Sequence, residues 1–211
     1  MYKETTTLLS PHLFNIYIND LLAEVNQETT TLIAYADDLL LFAHTVEGAQ
    51  RRLNHVNTWA AEHSLAISTT KTYILGSTTP IFHANGSEVA AVESTPYLGI
   101  PLTAGGLDWR TYYSATIRAC RRQLYHIDYI TRSWPLTARV DIYTTFLLPK
   151  LEYGGSLFVL HTSTFDFHTV KLTPSPAHQH TWHNLEQFQK EAAKIILKQH
   201  AFTGPLFNVL N

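Results

Sequence analysis

Two adjacent carboxylates, Asp37 and Asp38, lie between the short apolar runs Leu32-Ile33-Ala34-Tyr35 and Leu39-Leu40-Leu41-Phe42. Side-by-side carboxylates repel unless a cation offsets them, and hard oxygen ligands are what Mg²⁺ takes. The plain alternative is a solvated turn, where aspartate is common. Arg118, Arg121 and Arg122 form a second group: their three- and four-residue spacing puts them on one helical face, either to follow phosphates or simply to be solvated. Lys190, Lys194 and Lys198 need no ligand, because Glu186 stands four residues before Lys190, an arrangement that stabilises a helix by itself. His178, His180 and His183 offer imidazoles of the kind zinc takes. They stand in a Pro- and Ser-bearing stretch with no cysteine or obvious carboxylate nearby, so a His-dependent metal-binding protein is kept only as an alternative. Nothing resembles a nucleophile elbow or another hydrolase motif.

The elements that hold these residues can be read from periodicity. Ser10-Pro11 suits a helix start, and Leu13, Phe14, Tyr17, Ile18, Leu21, Leu22 and Val25 then recur at helical spacing. The two apolar runs around Ala36-Asp37-Asp38 read as a hairpin. Thr45 can cap a second helix with Val46, Ala49, Leu53, Val56 and Ala60 on one face, ending near Ser64. A strand follows at about residues 71–75, and Asn85-Gly86 marks a tight hairpin between residues 81–84 and 88–89. Beyond Tyr97-Leu98-Gly99 the strand signals fade, and helices are expected over about 109–130, 136–148 and 184–199. Residues 162–181, rich in Thr, Ser, Pro and His, read as a loop or linker. Trp182 reads as a packing anchor.

A chain of 211 residues with 45% hydrophobic and 15% charged residues is expected to fold around a real core. Its net charge of −2 provides no global positive field, so any nucleic-acid surface must be local. One cysteine, Cys120, excludes an internal disulfide and any multi-cysteine zinc site. The absence of an apolar signal core or of a long apolar run predicts an intracellular chain, nuclear or cytoplasmic, without a membrane span.

Tyr35-Ala36-Asp37-Asp38 between two apolar strands resembles the Y-X-D-D motif of reverse transcriptases, with alanine at X as in non-LTR retrotransposons and group II introns. The segment from Leu9 to Leu21 is similar to the helical motif preceding that hairpin in non-LTR enzymes. Residues 53–59, then His63 to Ser68 and Lys71-Thr72, resemble the next palm helix and its lysine-bearing strand. Tyr97-Leu98-Gly99-Ile100 resembles the primer grip, and Leu151-Glu152-Tyr153-Gly154 a recurrent thumb segment. The resemblance implies an α+β fold: a partial polymerase palm at 1–100, a helical thumb at 101–160, a linker at 161–183, and a C-terminal helix and tail at 184–211.

The same resemblance implies RNA-templated DNA synthesis by two-metal nucleotidyl transfer, with an RNA template, a DNA primer and deoxynucleotides as partners. Asp37 would be the direct ligand of Mg²⁺, or of Mn²⁺ in its place, with Asp38 supporting it, only if the missing carboxylates complete the site. Lys71 would stabilise the departing pyrophosphate, or be an exposed strand lysine. Ala36, being small, would permit close backbone approach to the primer end, and Tyr35, grouped with it among the nucleic-acid-binding residues, would brace the hairpin against the palm or be core. Tyr97, Leu98 and Gly99 would form a tight turn gripping the primer, or else a plain turn between two elements with Tyr97 packed inside, and Arg118, Arg121 and Arg122 would contact the duplex. The family's further catalytic aspartate is expected upstream of Ser10, and Glu4-Thr5-Thr6 stands where the family usually has Pro-Gln-Gly. The isolated chain is therefore expected to be an inactive, truncated fragment. A non-catalytic nucleic-acid-binding or assembly module of the same fold is the main alternative.

Overall fold

The computed structural model describes residues 10–26, 30–76, 82–166 and 171–197. Glu4-Thr5-Thr6, Ile81, Lys198, Gln199 and Gly204-Pro205 lie outside them. Two compact units, Met1–Gly106 and Leu107–Asn211, divide the chain, where the sequence pattern had suggested four segments. No described helix is long and apolar enough to cross a membrane.

In the first unit, α1 (Ser10–Val25) buries Ile18, Leu21 and Val25. The N-terminal part of its predicted stripe is uncovered, since Leu13 and Tyr17 are exposed. Asn26 follows, with its side chain accepting from the Leu32 amide and donating to the Leu32 carbonyl at 3.3 Å. That bidentate contact fixes where the next strand begins its run. β1 (Thr30–Tyr35) and β2 (Asp38–Ala43) pair antiparallel, Leu32 opposite Leu41 and Tyr35 opposite Asp38. Because side chains alternate along a strand, Leu32, Ala34, Leu39 and Leu41 share one face, which packs with α1 and with α2 (Val46–Glu62) around Val56, Trp59 and Ala60. Burying each large side chain contributes roughly 1.5–3 kcal/mol. As expected, Thr45 caps α2: its Oγ1 accepts from the Gly48 amide at 3.1 Å.

Smaller sheets complete the unit. β3 (Tyr73–Leu75) is followed by β4 (His83–Ala84) and β5 (Ser87–Glu88), the predicted hairpin around Asn85 and Gly86, whose φ angles are 50° and 74°. β6 (Ala90–Val92) then pairs with β3 in parallel, a departure from the antiparallel strands that the palm resemblance implies. A parallel pair needs a crossover, and the β4–β5 hairpin lies within it. β7 (Ser94–Tyr97) and β8 (Ile100–Thr103) form a last antiparallel hairpin, with β9 (Gly106–Leu107) beside β8 as the chain passes between units.

The second unit is mostly helical. Asp108 caps α3 (Trp109–Ile130) by accepting from the Thr111 amide at 3.0 Å, and this bond holds its carboxyl below the usual range. One side of α3 (Trp109, Tyr113, Ile117, Cys120 and Leu124) is buried. The helix expected over about 136–148 is interrupted: α4 (Leu136–Ile142) passes through a π-helical turn (Tyr143–Leu147) into α5 (Leu148–Glu152). Pro149 has no amide to donate and its ring crowds the carbonyl four residues back, so the wider turn absorbs the break.

After α6 (Gly155–Thr162), the described part of the stretch anticipated as a linker forms regular elements. It contains β10 (Ser163–Asp166) paired antiparallel with β11 (Lys171–Pro174), a 3₁₀ turn (Pro176–His178), and the first turn of α7 (Gln179–Leu197). The Ser and Pro content suggested loop, but Thr opposite Thr at 164 and 173 is a pair that suits a strand. Trp182 is an anchor as expected, stacking on Phe158 at 4.9 Å and donating from Nε1 to Thr162 Oγ1 at 3.0 Å. Phe188, Ala192, Ala193 and Ile196 bury the inner face of α7.

Candidate metal and nucleic-acid site

The register Tyr35 opposite Asp38 leaves Ala36 and Asp37 as a two-residue turn. Of these two, only Ala36 has a positive φ, 51°. That sign pattern belongs to a type II′ turn, whose first position favours glycine. The hairpin therefore holds its carboxylates on a strained tip, stabilised by the core beneath. Ala36, Asp37 and Asp38 are exposed, and Tyr35 is 64% exposed, so it is not a core residue. By strand alternation Asp38 shares its face with Tyr35, Ile33, Leu40 and Phe42, opposite the face packed on α1 and α2.

Tyr97-Leu98-Gly99 forms the tight turn the sequence suggested. Leu98 and Gly99 have φ of 50° and 79°, the two positive angles of a type I′ hairpin turn. Folding brings Tyr97 within electrostatic reach of Asp38: burial, and then the charge of Asp38, push the Tyr97 phenol pKa up. The phenol oxygen is buried and has no hydrogen-bond partner among the described residues. Lys71 is exposed and lies in a turn just before β3, not on the strand, with its amide donating to the Ser68 carbonyl at 3.1 Å.

Whether this donor set suits a metal can be judged from its chemistry. Among the described residues no third His, Cys, Asp or Glu joins Asp37 and Asp38 in a metal-holding group. Mg²⁺ is commonly held by one or two carboxylates with water and substrate phosphates completing the shell. Two exposed carboxylates fit that open mode and not a closed protein cage.

The three arginines are separated by their surroundings. Arg121 Nε pairs with Glu191 at 2.9 Å, and its guanidinium lies 5.9 Å from the Phe188 ring centre. Arg118 and Arg122 are exposed, with no ion pair among the described residues. Lys190 pairs with Glu186 as the four-residue spacing predicts. The histidines converge on no metal group: His180 Nδ1 meets Asn184 Nδ2 at 3.2 Å, and His178 lies against His161, whose Nδ1 accepts from Trp109 Nε1 at 2.9 Å.

Three features escaped sequence reasoning. The Asp38–Tyr97 proximity joins positions far apart in the chain, and the Arg121–Glu191 pair joins two helices, so neither leaves a local signal. Tyr125 and Tyr129 are exposed on α3. Their spacing continues that of Arg118 and Arg122, a pattern open to sequence reading.

Comparison with curated proteins and with solved structures finds no match to this chain. The stretch that holds Asp37, Asp38, Lys71 and the Tyr97 turn does have one: residues 7–102 match the family model of reverse transcriptase, the RNA-dependent DNA polymerase.

Proposed function

We propose that the chain is the palm and thumb portion of a non-LTR retrotransposon reverse transcriptase, acting inside the cell, and that alone it holds an incomplete polymerase site. The observation that carries this reading is the exposed Asp37-Asp38 tip beside the Tyr97 turn, within the matched residues 7–102. Asp37 is the direct ligand for Mg²⁺ or Mn²⁺ and Asp38 supports it. The metal, when bound, supplies charge stabilisation for phosphoryl transfer from a deoxynucleotide to a primer hydroxyl. Ala36, with only a methyl side chain, lets the primer end approach the turn while Tyr35 flanks it. Tyr97, Leu98 and Gly99 position the primer strand. Lys71 places a cation for the departing pyrophosphate. On the thumb side, Arg118 and Arg122 follow the phosphates of the template–primer, and Arg121 joins them only when released from Glu191.

Two-metal transfer needs carboxylates converging from separate strands, and one hairpin surrounds only part of that site. The isolated chain is therefore expected to bind Mn²⁺ weakly and not to extend a primer. Paramagnetic broadening by Mn²⁺ should map to residues 35–39 and vanish in Asp37→Asn. Template-dependent extension by the isolated chain, abolished by Asp37→Asn, would refute the incomplete-site reading, and absence of Mn²⁺ broadening at the hairpin would refute the metal assignment. A second reading, a non-catalytic nucleic-acid-binding module of the same fold, is favoured by the exposed arginines of α3. It predicts template–primer binding that Asp37→Asn leaves untouched.

A further inference from the structure

The near-neutral net charge of the chain hides a division. Met1–Gly106 has four Lys and Arg against ten Asp and Glu, a net −6, whereas Leu107–Asn211 has eleven against seven, a net +4. Charge asymmetry of this kind points to a polyanionic partner for the basic part. Within that part, acids near α3 are already engaged: Asp128 pairs with Arg139, and Glu191 with Arg121. Arg118 and Arg122 keep their positive charge exposed, in no ion pair among the described residues.

Tyr125 and Tyr129 continue the same face, since positions 118, 122, 125 and 129 repeat at four, three and four residues, on the opposite side from buried Tyr113, Ile117, Cys120 and Leu124. The four span about 16 Å of helix. Tyr129 is 72% exposed and Tyr125 54%, a large outlay of aromatic surface to water. The Tyr125 ring is tethered, its hydroxyl donating to Glu191 Oε1 at 2.8 Å, and the Arg132 guanidinium lies 5.9 Å from the Tyr129 ring centre. A held ring loses little freedom on binding.

We infer that the outer face of α3 is a track for single-stranded nucleic acid, with Arg118 and Arg122 taking successive phosphates and Tyr125 and Tyr129 stacking unpaired bases. Cations followed along one helix face by exposed aromatic rings offer a phosphate contact and a stacking platform, the two contacts by which unpaired strands are bound with little sequence preference. A duplex keeps its bases stacked inward and would use only the arginines. The track rests on the thumb assignment of the Proposed function and narrows it: of the template–primer that Arg118 and Arg122 follow there, it takes the unpaired template strand, and it is independent of the carboxylate hairpin.

The test uses the full chain and a fluorescein-labelled oligodeoxythymidine of about 20 nucleotides, read by anisotropy across a salt series, with a blunt duplex of the same length as comparison. Wild type should bind the single strand more tightly than the duplex. Arg118→Gln with Arg122→Gln should reduce the slope of log affinity against log salt by about 1.4, at about 0.7 per phosphate contact on a single strand. Tyr129→Ala should weaken single-strand binding at least about five-fold and leave duplex binding unchanged, while Tyr129→Phe retains affinity because the ring remains. All of these side chains are exposed, and circular dichroism should report an unchanged fold. No single-strand binding by wild type, an unchanged salt slope in the arginine pair, or equal loss on strand and duplex in Tyr129→Ala would overturn the inference. Asp37→Asn should leave this binding intact, so failure of the metal site and failure of the track are separately visible.

Discussion

Replacing Ala36 by glycine should make the carboxylate hairpin more stable. Ala36 has a φ of 51°, where a Cβ crowds the neighbouring carbonyl and costs about 1–2 kcal/mol. Glycine adopts this conformation without that cost, but its unfolded chain is freer by about 0.4–1 kcal/mol. The difference is a net gain of about 0.5–1 kcal/mol. No side-chain contact is sacrificed to the core, because Ala36 is exposed. Local opening can be read by amide hydrogen exchange over residues 30–43, where each 1.4 kcal/mol is a factor of ten, so exchange should slow by about two- to five-fold. Ala36→Val should do the reverse, since a β-branched residue tolerates positive φ worse than alanine. Exchange that is unchanged or faster in Ala36→Gly would mean that the turn is not strained, and would remove the physical basis for a tip held in place by its core.

Other perturbations address the second unit. Burial pushes the Tyr113 and Tyr143 phenols up to about 12, so they remain neutral in the folded state while their unfolded counterparts ionise near pH 10. Their contribution is fully present below pH 10 and is lost as pH rises from about 10 to 12, at about 1.4 kcal/mol per pH unit for each tyrosine. Urea midpoints measured at pH 9, 10 and 11 should fall over the upper interval, and Tyr143→Phe should blunt that fall; a flat profile would contradict it. Arg139 is 4% exposed and its Nη2 bonds both Asp128 Oδ1 at 3.0 Å and the Ile195 carbonyl. Asp128→Ala leaves a buried guanidinium with one partner fewer and should cost about 2–4 kcal/mol in chemical denaturation, whereas Arg139→Met with Asp128→Ala should recover much of it. Loss of less than about 0.5 kcal/mol in the single variant would place that pair among the weak surface bridges.

The local features of the candidate site were legible because each rests on short-range chemistry. Two short apolar runs around the polar break Ala36-Asp37-Asp38 mark a hairpin, Thr45 caps α2 through its own hydroxyl, and Asn85-Gly86 favours a turn with two positive φ angles. The stretch 162–181 misled because threonine serves loops and strands alike, and its strand role depends on which residue ends up opposite it. The break at Tyr143–Leu147 was hidden because a proline can end a helix, kink it or be absorbed by a wider turn, and only packing chooses among these.

What the amino-acid order determined by itself was a carboxylate pair at the tip of an apolar hairpin, the helices around it, and a row of arginines at helical spacing. Tertiary structure alone decided that the Tyr97 phenol lies under the charge of Asp38, and that Arg121 is claimed by Glu191 while Arg118 and Arg122 face water. The physical reason is one of range. Helix, turn and capping preferences act over a few residues, whereas burial and Coulomb interactions act between groups that become neighbours only once the chain has folded.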